Sequence, residues 1–245
     1  MPKKISVVLL SGGLDSCVAA TMKAQEPDTQ VHLLSIYYGQ GAEAAEKQQS
    51  ALVADRLKEL YPNVVEHFYL TINGEARWNK LRDYETAQKQ IQGFVGWRTP
   101  YGGWHKAGYP STRDEAFSLI AAAGLEARLR EYPNMIQGEV VLATTKEDLY
   151  NFEDIEPIVY ETYLNEVLAR KMMPREGKAM RIVLPLIGLM KHEVVRKGVE
   201  IKAPLELTWS CYFGNPGKPC NGCDQCYWRA EAFKKAGVPD HYIKK

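Results

Sequence analysis

A short stretch near the start of the chain combines the residue types that proteins use to bind phosphate groups. Residues 9–16 read LLSGGLDS and follow directly on an apolar run at residues 5–10. Gly12 and Gly13 permit a tight turn that brings backbone N–H groups close to an anion, and a helix starting there adds its positive end. The sequence therefore predicts a nucleotide-phosphate loop made of Leu10, Ser11, Gly12, Gly13, Leu14, Asp15 and Ser16.

The side chains of this loop restrict the chemistry that it can perform. Ser11 and Ser16 can donate hydroxyl hydrogen bonds, whereas an ionised Asp15 cannot, so we expect Asp15 to hold the loop or to position Mg²⁺. The sequence has no G-x-x-x-x-G-K-S/T pattern, whose lysine grips the terminal phosphates of ATP or GTP. A bond other than the one cut by kinases and GTPases is therefore expected to break. An ordinary strand-to-helix turn and a nucleotide sensor without turnover are the alternatives.

A cysteine cluster provides the second chemical signal. Four of the five cysteines lie in one short stretch, at Cys211, Cys220, Cys223 and Cys226. The last three have the knuckle spacing of a structural zinc site, in which four thiolates close a tetrahedron around Zn²⁺. An iron–sulfur cluster is the second interpretation of the same ligands. Cys17 lies apart in an apolar segment and is expected to be a core residue.

Apolar runs at nearly regular intervals indicate the elements that must position these groups. Runs rich in Val, Ile and Leu occur at residues 5–10, 31–36, 64–70, 140–142 and 182–184. Segments with helical periodicity occur at residues 15–23, 43–60, 113–130 and 158–170. This alternation predicts an α/β fold, a Rossmann-like parallel sheet with helices on both faces. Ile36, at the carboxyl end of the second run, is then expected beside an adenine ring.

The pattern divides the chain into two parts of unequal size. Residues 1–204 are expected to form the α/β domain, and residues 205–245 a small zinc ribbon with a helix. Residues 71–108 break the periodicity and contain three tryptophans, so they are interpreted as an irregular insertion. This insertion is expected to be a lid or a partner surface, or to pack its aromatic residues over the core.

The charge balance excludes a strong general attraction to polyanions. Lys and Arg number 31 and Asp and Glu 30, which leaves a formal charge of +1. No segment reaches the roughly 20 apolar residues that a membrane-spanning helix needs. We therefore expect a cytoplasmic protein without membrane or nucleic-acid partners. A zinc-ribbon nucleic-acid binder is the rival of another class, but the basic residues from Arg229 onward are interpreted as an ordinary solvated helix face and tail.

Several motifs together resemble one family of enzymes. The Ser-Gly-Gly-x-Asp-Ser loop is similar to that of the ATP pyrophosphatases, which form AMP and pyrophosphate. With Tyr38-Gly39-Gln40, Thr208-Trp209-Ser210-Cys211 and the cysteine block at residues 219–226, it resembles the 7-cyano-7-deazaguanine synthase family. The resemblance implies a homodimer that adenylates 7-carboxy-7-deazaguanine, displaces AMP with ammonia, and activates the resulting amide again to give the nitrile. ATP, Mg²⁺ and Zn²⁺ are the expected cofactors.

The resemblance also implies roles for residues outside the loop. Lys191 matches a family lysine and Arg113 a family arginine, so both are expected to contact phosphate and to form the catalytic set with Asp15. Asp148 and Asp154 are retained from the family's substrate region and are expected to bind the deazaguanine. The residues between them differ from the family pattern. A related ligase that stops at the amide, or that uses another amine, therefore stays open beside the nitrile synthase.

Overall fold

The computed structural model describes residues 3–40, 42–72, 113–151, 159–171 and 178–241. Asp154 and most of the insertion assigned to residues 71–108 lie outside these ranges. The described strands are β1 (Lys4–Leu9), β2 (Thr29–Tyr37), β3 (Val64–Thr71), β4 (Gln137–Val141) and β5 (Ala179–Val183). The α-helices are α1 (Leu14–Gln25), α2 (Glu43–Leu60), α3 (Arg113–Glu131), α4 (Lys146–Asn151), α5 (Asn165–Lys171), α6 (Lys191–Glu200) and α7 (Asp224–Ala236).

The five strands form one parallel sheet in the order β3-β2-β1-β4-β5. All nine residues of β2 are buried, as expected for a central strand covered on both faces. The carboxyl ends of parallel strands lie at the same edge, and ligands of such sheets bind where the strand order reverses. Here the order reverses beside β1, whose carboxyl end leads into the predicted phosphate loop.

Helices cover both faces of the sheet, which confirms the predicted fold class. One apolar cluster contains Cys17 of α1, Leu57 of α2, Val194 of α6 and Phe233 of α7. The other contains Leu125 and Leu129 of α3 and residues of α5 and of the π-helix Val159–Leu164. Cys17 is fully buried, as expected for a core residue. Within the described ranges, every helix is too short or too polar to span a lipid bilayer.

Some boundaries differ from those that periodicity predicts. The helix expected at residues 158–170 is a six-residue π-helix followed by α5. The sequence pattern missed helices α4 and α6: α4 has only six residues, and α6 has ten, with Val194, Val195 and Gly198 on its buried face. Both begin just after a strand of the sheet, so they bring their first turns to its carboxyl edge. A 3₁₀-helix at Leu205–Leu207 then leads toward the cysteine cluster.

A buried ion cluster closes the opposite edge of the sheet. Glu139 of β4 is 2% exposed, and its carboxylate contacts Lys23 Nζ at 2.9 Å and Arg181 Nη2 at 2.6 Å. Lys4 Nζ lies 3.3 Å away, and the Ser6 hydroxyl donates a further hydrogen bond. Burial alone would raise the pKa of Glu139, but these hydrogen bonds and charges lower it to about 2. The carboxylate is therefore fully paired.

Candidate active site and metal centre

The phosphate loop is held in its turn by close backbone packing. Gly12 has a φ of +79°, and a Cβ atom there would lie 2.7 Å from the backbone nitrogen of Ser50 in α2. Only glycine satisfies both conditions without strain. Gly13 is the N-cap of α1, so the first turn of α1 directs its backbone N–H groups into the space after β1. This arrangement has the geometry that the predicted anion site requires.

Both loop serines face one another across the turn. The Ser11 Oγ atom accepts a 3.2 Å hydrogen bond from the Gly13 N–H and lies 3.1 Å from Ser16 Oγ. The Ser16 hydroxyl can also donate to the Gly13 carbonyl at 3.1 Å. Hydroxyl groups rotate freely enough to exchange such local bonds for a phosphate oxygen. The structure therefore brings Ser11, Gly13 and Ser16 together as donors at one point.

A buried ion pair lies beside the loop. Lys191 Nζ is 3.1 Å from Asp15 Oδ2, and both residues line the same cavity. Burial disfavours the Lys191 ammonium, but Asp15 and Asp148 outweigh it and raise the pKa of Lys191, so the lysine stays charged. Burial raises the pKa of Asp15 against the opposing charge of Lys191. Lys191 is therefore a buried charge that faces the cavity.

One oxygen of Asp15 has no hydrogen-bond partner among the described residues. Asp15 Oδ1 is buried and accepts no hydrogen bond from the part of the chain that the structure describes. A buried carboxylate oxygen without a partner is costly, so such atoms call for an explanation in a ligand or ion. Carboxylate oxygens are the ligands that Mg²⁺ prefers, and phosphate oxygens usually complete its shell. Asp15 therefore fits the magnesium role that its type predicts.

The position of Lys191 follows from the first turn of α6. Met190 is the N-cap, and the Glu193 side chain accepts a 2.8 Å hydrogen bond from the Met190 N–H. The Lys191 N–H donates to the carboxylate of Glu147 in α4. The Lys146 N–H donates to the Leu189 carbonyl at 2.9 Å, which joins the starts of α4 and α6. These bonds fix the backbone of Lys191, so that its side chain reaches Asp15 in the loop.

Asp148 lines the cavity, but one of its oxygens already has a structural task. Asp148 Oδ2 accepts 2.8 Å hydrogen bonds from both the backbone N–H and the hydroxyl of Thr145. These contacts cap the start of α4 in the manner of a capping box. Recognition of the deazaguanine by Asp148 stays a prediction, and the other predicted substrate residue, Asp154, lies outside the described ranges.

Apolar and aromatic side chains form the other side of the cavity. Ile36 lies there with Leu34, at the carboxyl end of β2. Tyr38 and Phe117 are 5.5 Å apart between ring centroids, and Arg113 Nη1 donates to the Tyr38 hydroxyl at 3.1 Å. Apolar and aromatic side chains next to a candidate anion site suit the base of a purine nucleotide. Arg113 and Lys191 therefore line the same cavity as the loop, from different walls.

Other cavity residues were missed by reasoning from the sequence. Ser210, Tyr212 and Gln225 line the cavity, and all three come from the cysteine-rich segment. Tyr212 is half-buried, and desolvation raises the pKa of its phenol against the opposing charges of Arg113 and Lys191. For Tyr212, the only sequence signal was its position directly after Cys211. The segment predicted to be a separate ribbon thus forms one wall of the candidate active site.

The four clustered cysteines form a site able to hold a metal ion. Their Sγ atoms all lie within 4.8 Å of one another, and all four thiols are free of disulfides. Cys223 and Cys226 are 3.6 Å apart and Cys220 and Cys226 4.0 Å, close to the tetrahedral edge of about 3.8 Å that 2.3 Å Zn–S bonds require. The N–H groups of Gly214 and Cys220 donate to Cys211 Sγ, which favours a thiolate. The donor set fits zinc.

Arg229 corrects one interpretation of the sequence. It was grouped with the solvated residues of the last helix, yet it is 1% exposed. Its guanidinium pairs with the Asp240 carboxylate through bonds of 2.8 and 3.0 Å and also donates to Thr208 Oγ1 at 2.9 Å. A buried guanidinium with this many acceptors has a structural role, because its rigid planar group can bind several acceptors at once.

Comparison with known proteins agrees with the geometry. The family described as "Queuosine biosynthesis protein QueC" matches residues 5–237. A 7-cyano-7-deazaguanine synthase of Koribacter versatilis (strain Ellin345) is 33% identical over 237 residues, covering 96% of this chain and 91% of that protein. An enzyme of the same name from Acidobacterium capsulatum is 32% identical over 237 residues, covering 96% and 94%. A third, from Methanothrix thermoacetophila, is 30% identical over 244 residues, covering 96% of each.

Proposed function

Because the chain belongs to the family of the queuosine biosynthesis protein QueC, we propose that it is a 7-cyano-7-deazaguanine synthase. The proposed reaction is an ATP-dependent carbon–nitrogen ligation that converts 7-carboxy-7-deazaguanine and ammonia to the nitrile. The observation that carries the proposal is the Asp15–Lys191 pair beside a phosphate loop without a Walker lysine. Such a site stabilises charge at the α-phosphate rather than the γ-phosphate.

The first half of the reaction activates the acid. A carboxylate oxygen of the substrate attacks the α-phosphorus of ATP, the bond to the bridging oxygen of the β-phosphate breaks, and pyrophosphate leaves. The N–H groups around Gly13 and the hydroxyls of Ser11 and Ser16 bind the leaving diphosphate. Lys191, with Arg113 on another wall, offsets the charge that builds on the α-phosphate. Mg²⁺ bound by Asp15 would neutralise phosphate oxygens.

The second half introduces one nitrogen and then dehydrates the amide. The nitrogen of ammonia attacks the acyl carbon, AMP leaves with one carboxylate oxygen, and a primary amide forms. The amide oxygen then attacks the α-phosphorus of a second ATP and expels pyrophosphate, and loss of AMP with the two N–H protons gives the nitrile. The charged wall of the cavity can serve both adenylations, because the attacking atom is an oxygen on the same carbon each time.

The remaining parts of the proposal concern the metal, assembly and location. We propose that the four cysteines hold one Zn²⁺ per chain, because four thiolates at tetrahedral spacing leave no open position for chemistry. We further propose a homodimer in the cytoplasm, with small-molecule substrates and no nucleic-acid partner, and the family resemblance supports this proposal. Metal analysis of the purified protein tests the zinc assignment, and iron in its place would contradict it.

A product analysis tests the reaction. Purified protein is incubated with MgATP, ammonium and 7-carboxy-7-deazaguanine, and AMP, ADP, pyrophosphate and the mass of the deazaguanine product are measured. We expect two AMP and two pyrophosphates for each nitrile formed. Formation of ADP would contradict the cleavage site, and accumulation of the amide with one pyrophosphate would identify the related ligase. Omission of the deazaguanine is the control for idle ATP cleavage.

A further inference from the structure

We infer that the metal centre positions the phosphate loop, so that residues 205–211 act as a strap between the two. This inference rests on the proposed function only for the identity of the nucleotide. It extends the metal's role from holding the C-terminal segment to setting the affinity for ATP. Trp209 and Arg229 are the positioning residues, and neither needs to touch the nucleotide.

The strap contacts the loop through its backbone. The Trp209 N–H donates a 2.8 Å hydrogen bond to the carbonyl of Gly12, and a Cβ on Gly13 would come within 3.5 Å of the Trp209 carbonyl. On the other side, Gly12 lies directly against the backbone of α2 at Ser50. The loop is therefore held between α2 and the strap. A shift of the strap would break this hydrogen bond and release the carbonyl of Gly12, which has a left-handed conformation.

The strap is joined to the metal centre by the same tryptophan. Trp209 Nε1 donates a 2.6 Å hydrogen bond to the carbonyl of Cys211, the first of the four ligands. The indole is buried in a small cluster with Ala45 of α2 and with Cys211, Cys223 and Cys226. Its ring therefore packs between α2 and three metal ligands. Loss of the ion would allow those cysteines to move, and Trp209 would shift with them because it packs against all three.

Arg229 fastens the strap on both sides of Trp209. Its Nη1 atom contacts Thr208 Oγ1 at 2.9 Å and Ser210 Oγ at 3.2 Å, and its Nη2 atom contacts the Leu205 carbonyl at 3.4 Å. Arg229 belongs to α7, whose N-cap is the ligand Cys223 and whose first turn contains Cys226. The metal thus anchors the strap directly through Cys211 and indirectly through α7.

This arrangement matters because anion binding by backbone N–H groups depends on their preorganisation. Each N–H must point at the phosphate before it arrives, or binding has to supply the ordering energy. The loop has little apolar packing of its own around Ser11 and Gly13, so its shape depends on its two neighbours, α2 and the strap. Weakening the strap should therefore lower nucleotide affinity more than it lowers overall stability.

Two variants and one matched control test the inference. Trp209→Phe keeps an aromatic ring but removes the bond to Cys211, and Arg229→Lys keeps a cation for Asp240 but cannot hold Thr208 and Ser210 together. Lys23→Met removes a buried ion-pair partner at the opposite edge of the sheet. Affinity for α,β-methylene-ATP with Mg²⁺ is measured by calorimetry, together with zinc content and the midpoint of thermal unfolding.

We expect both strap variants to raise the Kd by about tenfold, that is about 1.4 kcal/mol, while zinc stays bound. Lys23→Met should lower the unfolding midpoint to a similar degree and leave the Kd within about twofold. Strap variants that lose stability as the control does but keep the wild-type Kd would overturn the inference. Absence of analogue binding by the wild-type protein would instead overturn the proposed function.

Metal removal gives an independent readout that needs no turnover. The wild-type protein is treated with a chelator at a temperature where circular dichroism shows that its helices persist, and the Kd for the same analogue is measured. We expect a rise at least as large as in Trp209→Phe and its reversal on adding Zn²⁺. A Kd that is unchanged after verified loss of the metal would contradict the link between the two sites.

Discussion

Two carboxylates at opposite edges of the sheet differ in their burial, in their partners and in the direction of their pKa shifts. Glu139 is surrounded by three cations and a hydroxyl, and its pKa is lowered to about 2. Asp15 has one cation, Lys191, and burial raises its pKa. One oxygen of Asp15 also lacks a partner among the described residues. The paired carboxylate stabilises the fold, whereas the under-paired one is available to a ligand.

The contrast gives a physical criterion for separating structure from chemistry in this chain. A buried charge contributes to stability only when its hydrogen-bonding capacity is satisfied, and an unsatisfied one is a cost. Natural proteins keep such costs where function needs them. The carboxyl edge of the sheet carries that cost at Asp15, and the amino edge avoids it at Glu139. Four measurements test this contrast between the two edges.

The largest expected effect is on catalysis at the carboxyl edge. Lys191→Met should lower kcat by about 100- to 1,000-fold, because it removes a positioned charge from the developing transition state. Steady-state pyrophosphate release with saturating ATP measures this. The matched lysine variant Lys23→Met, which has lost a contact to Glu139, should keep kcat within about threefold. Equal losses in both variants would contradict the contrast between the two edges.

The second effect is on stability at the amino edge. Glu139→Gln should lower the free energy of unfolding by about 3 kcal/mol, since Lys4, Lys23 and Arg181 lose the carboxylate that they share and Lys23 keeps only Glu26 as its anion. Urea titration followed by circular dichroism measures the change. The KM for ATP should stay at the wild-type value, because Glu139 lies at the edge of the sheet away from the loop. An altered KM with unchanged stability would reverse the roles that we assign.

The third measurement follows the same carboxylate through pH. The folded-state pKa of Glu139 lies at about 2, below its ordinary value of 4.5, so its stabilising effect is complete above about pH 4.5. The effect is lost as the pH falls toward 2. The difference in unfolding free energy between the wild type and Glu139→Gln should therefore shrink over this window. A difference that stays constant from pH 6 to about pH 2.5 would contradict the lowered pKa.

The smallest effect concerns the substrate side of the cavity. Asp148→Asn should raise the KM for 7-carboxy-7-deazaguanine by about tenfold, because an amide cannot accept both hydrogens of the base edge. Its loss of the cap on Thr145 should cost about 1 kcal/mol or less. Initial rates at varied deazaguanine concentrations measure the effect, and the KM for ATP is the internal control. An unchanged KM for the acid would leave Asp148 with its capping role alone.

Features fixed by local chemistry could be predicted from the sequence. The phosphate loop depends on two glycines between a strand and a helix, and the structure holds Gly12 in the left-handed conformation that such a loop requires. The parallel sheet follows from buried apolar runs, and the metal site from cysteine spacing. In each case neighbouring residues carry the whole signal. The family resemblance, which the comparison confirms, rests on the same local motifs.

Features that depend on distant contacts could not be predicted. Nothing in the residues around Arg229 indicates that Asp240, Thr208 and Ser210 surround it, so its burial was missed. Tyr212 lines the cavity because the cysteine segment folds back over the loop, and no periodicity encodes that path. The full pairing of Glu139 likewise joins three other segments of the chain. These contacts arise from tertiary packing, and a single sequence does not show which distant segments pack against each other.

The hydrogen bond between Gly12 and Trp209 has a consequence for synthesis of the chain on the ribosome. The loop and β1 emerge early, but β4, α6 and the strap that complete the site follow more than a hundred residues later. Contacts between such distant segments form late in folding. If the loop binds ATP as proposed, a nascent or prematurely terminated chain carries the entire phosphate-loop motif without the later segments that complete the site.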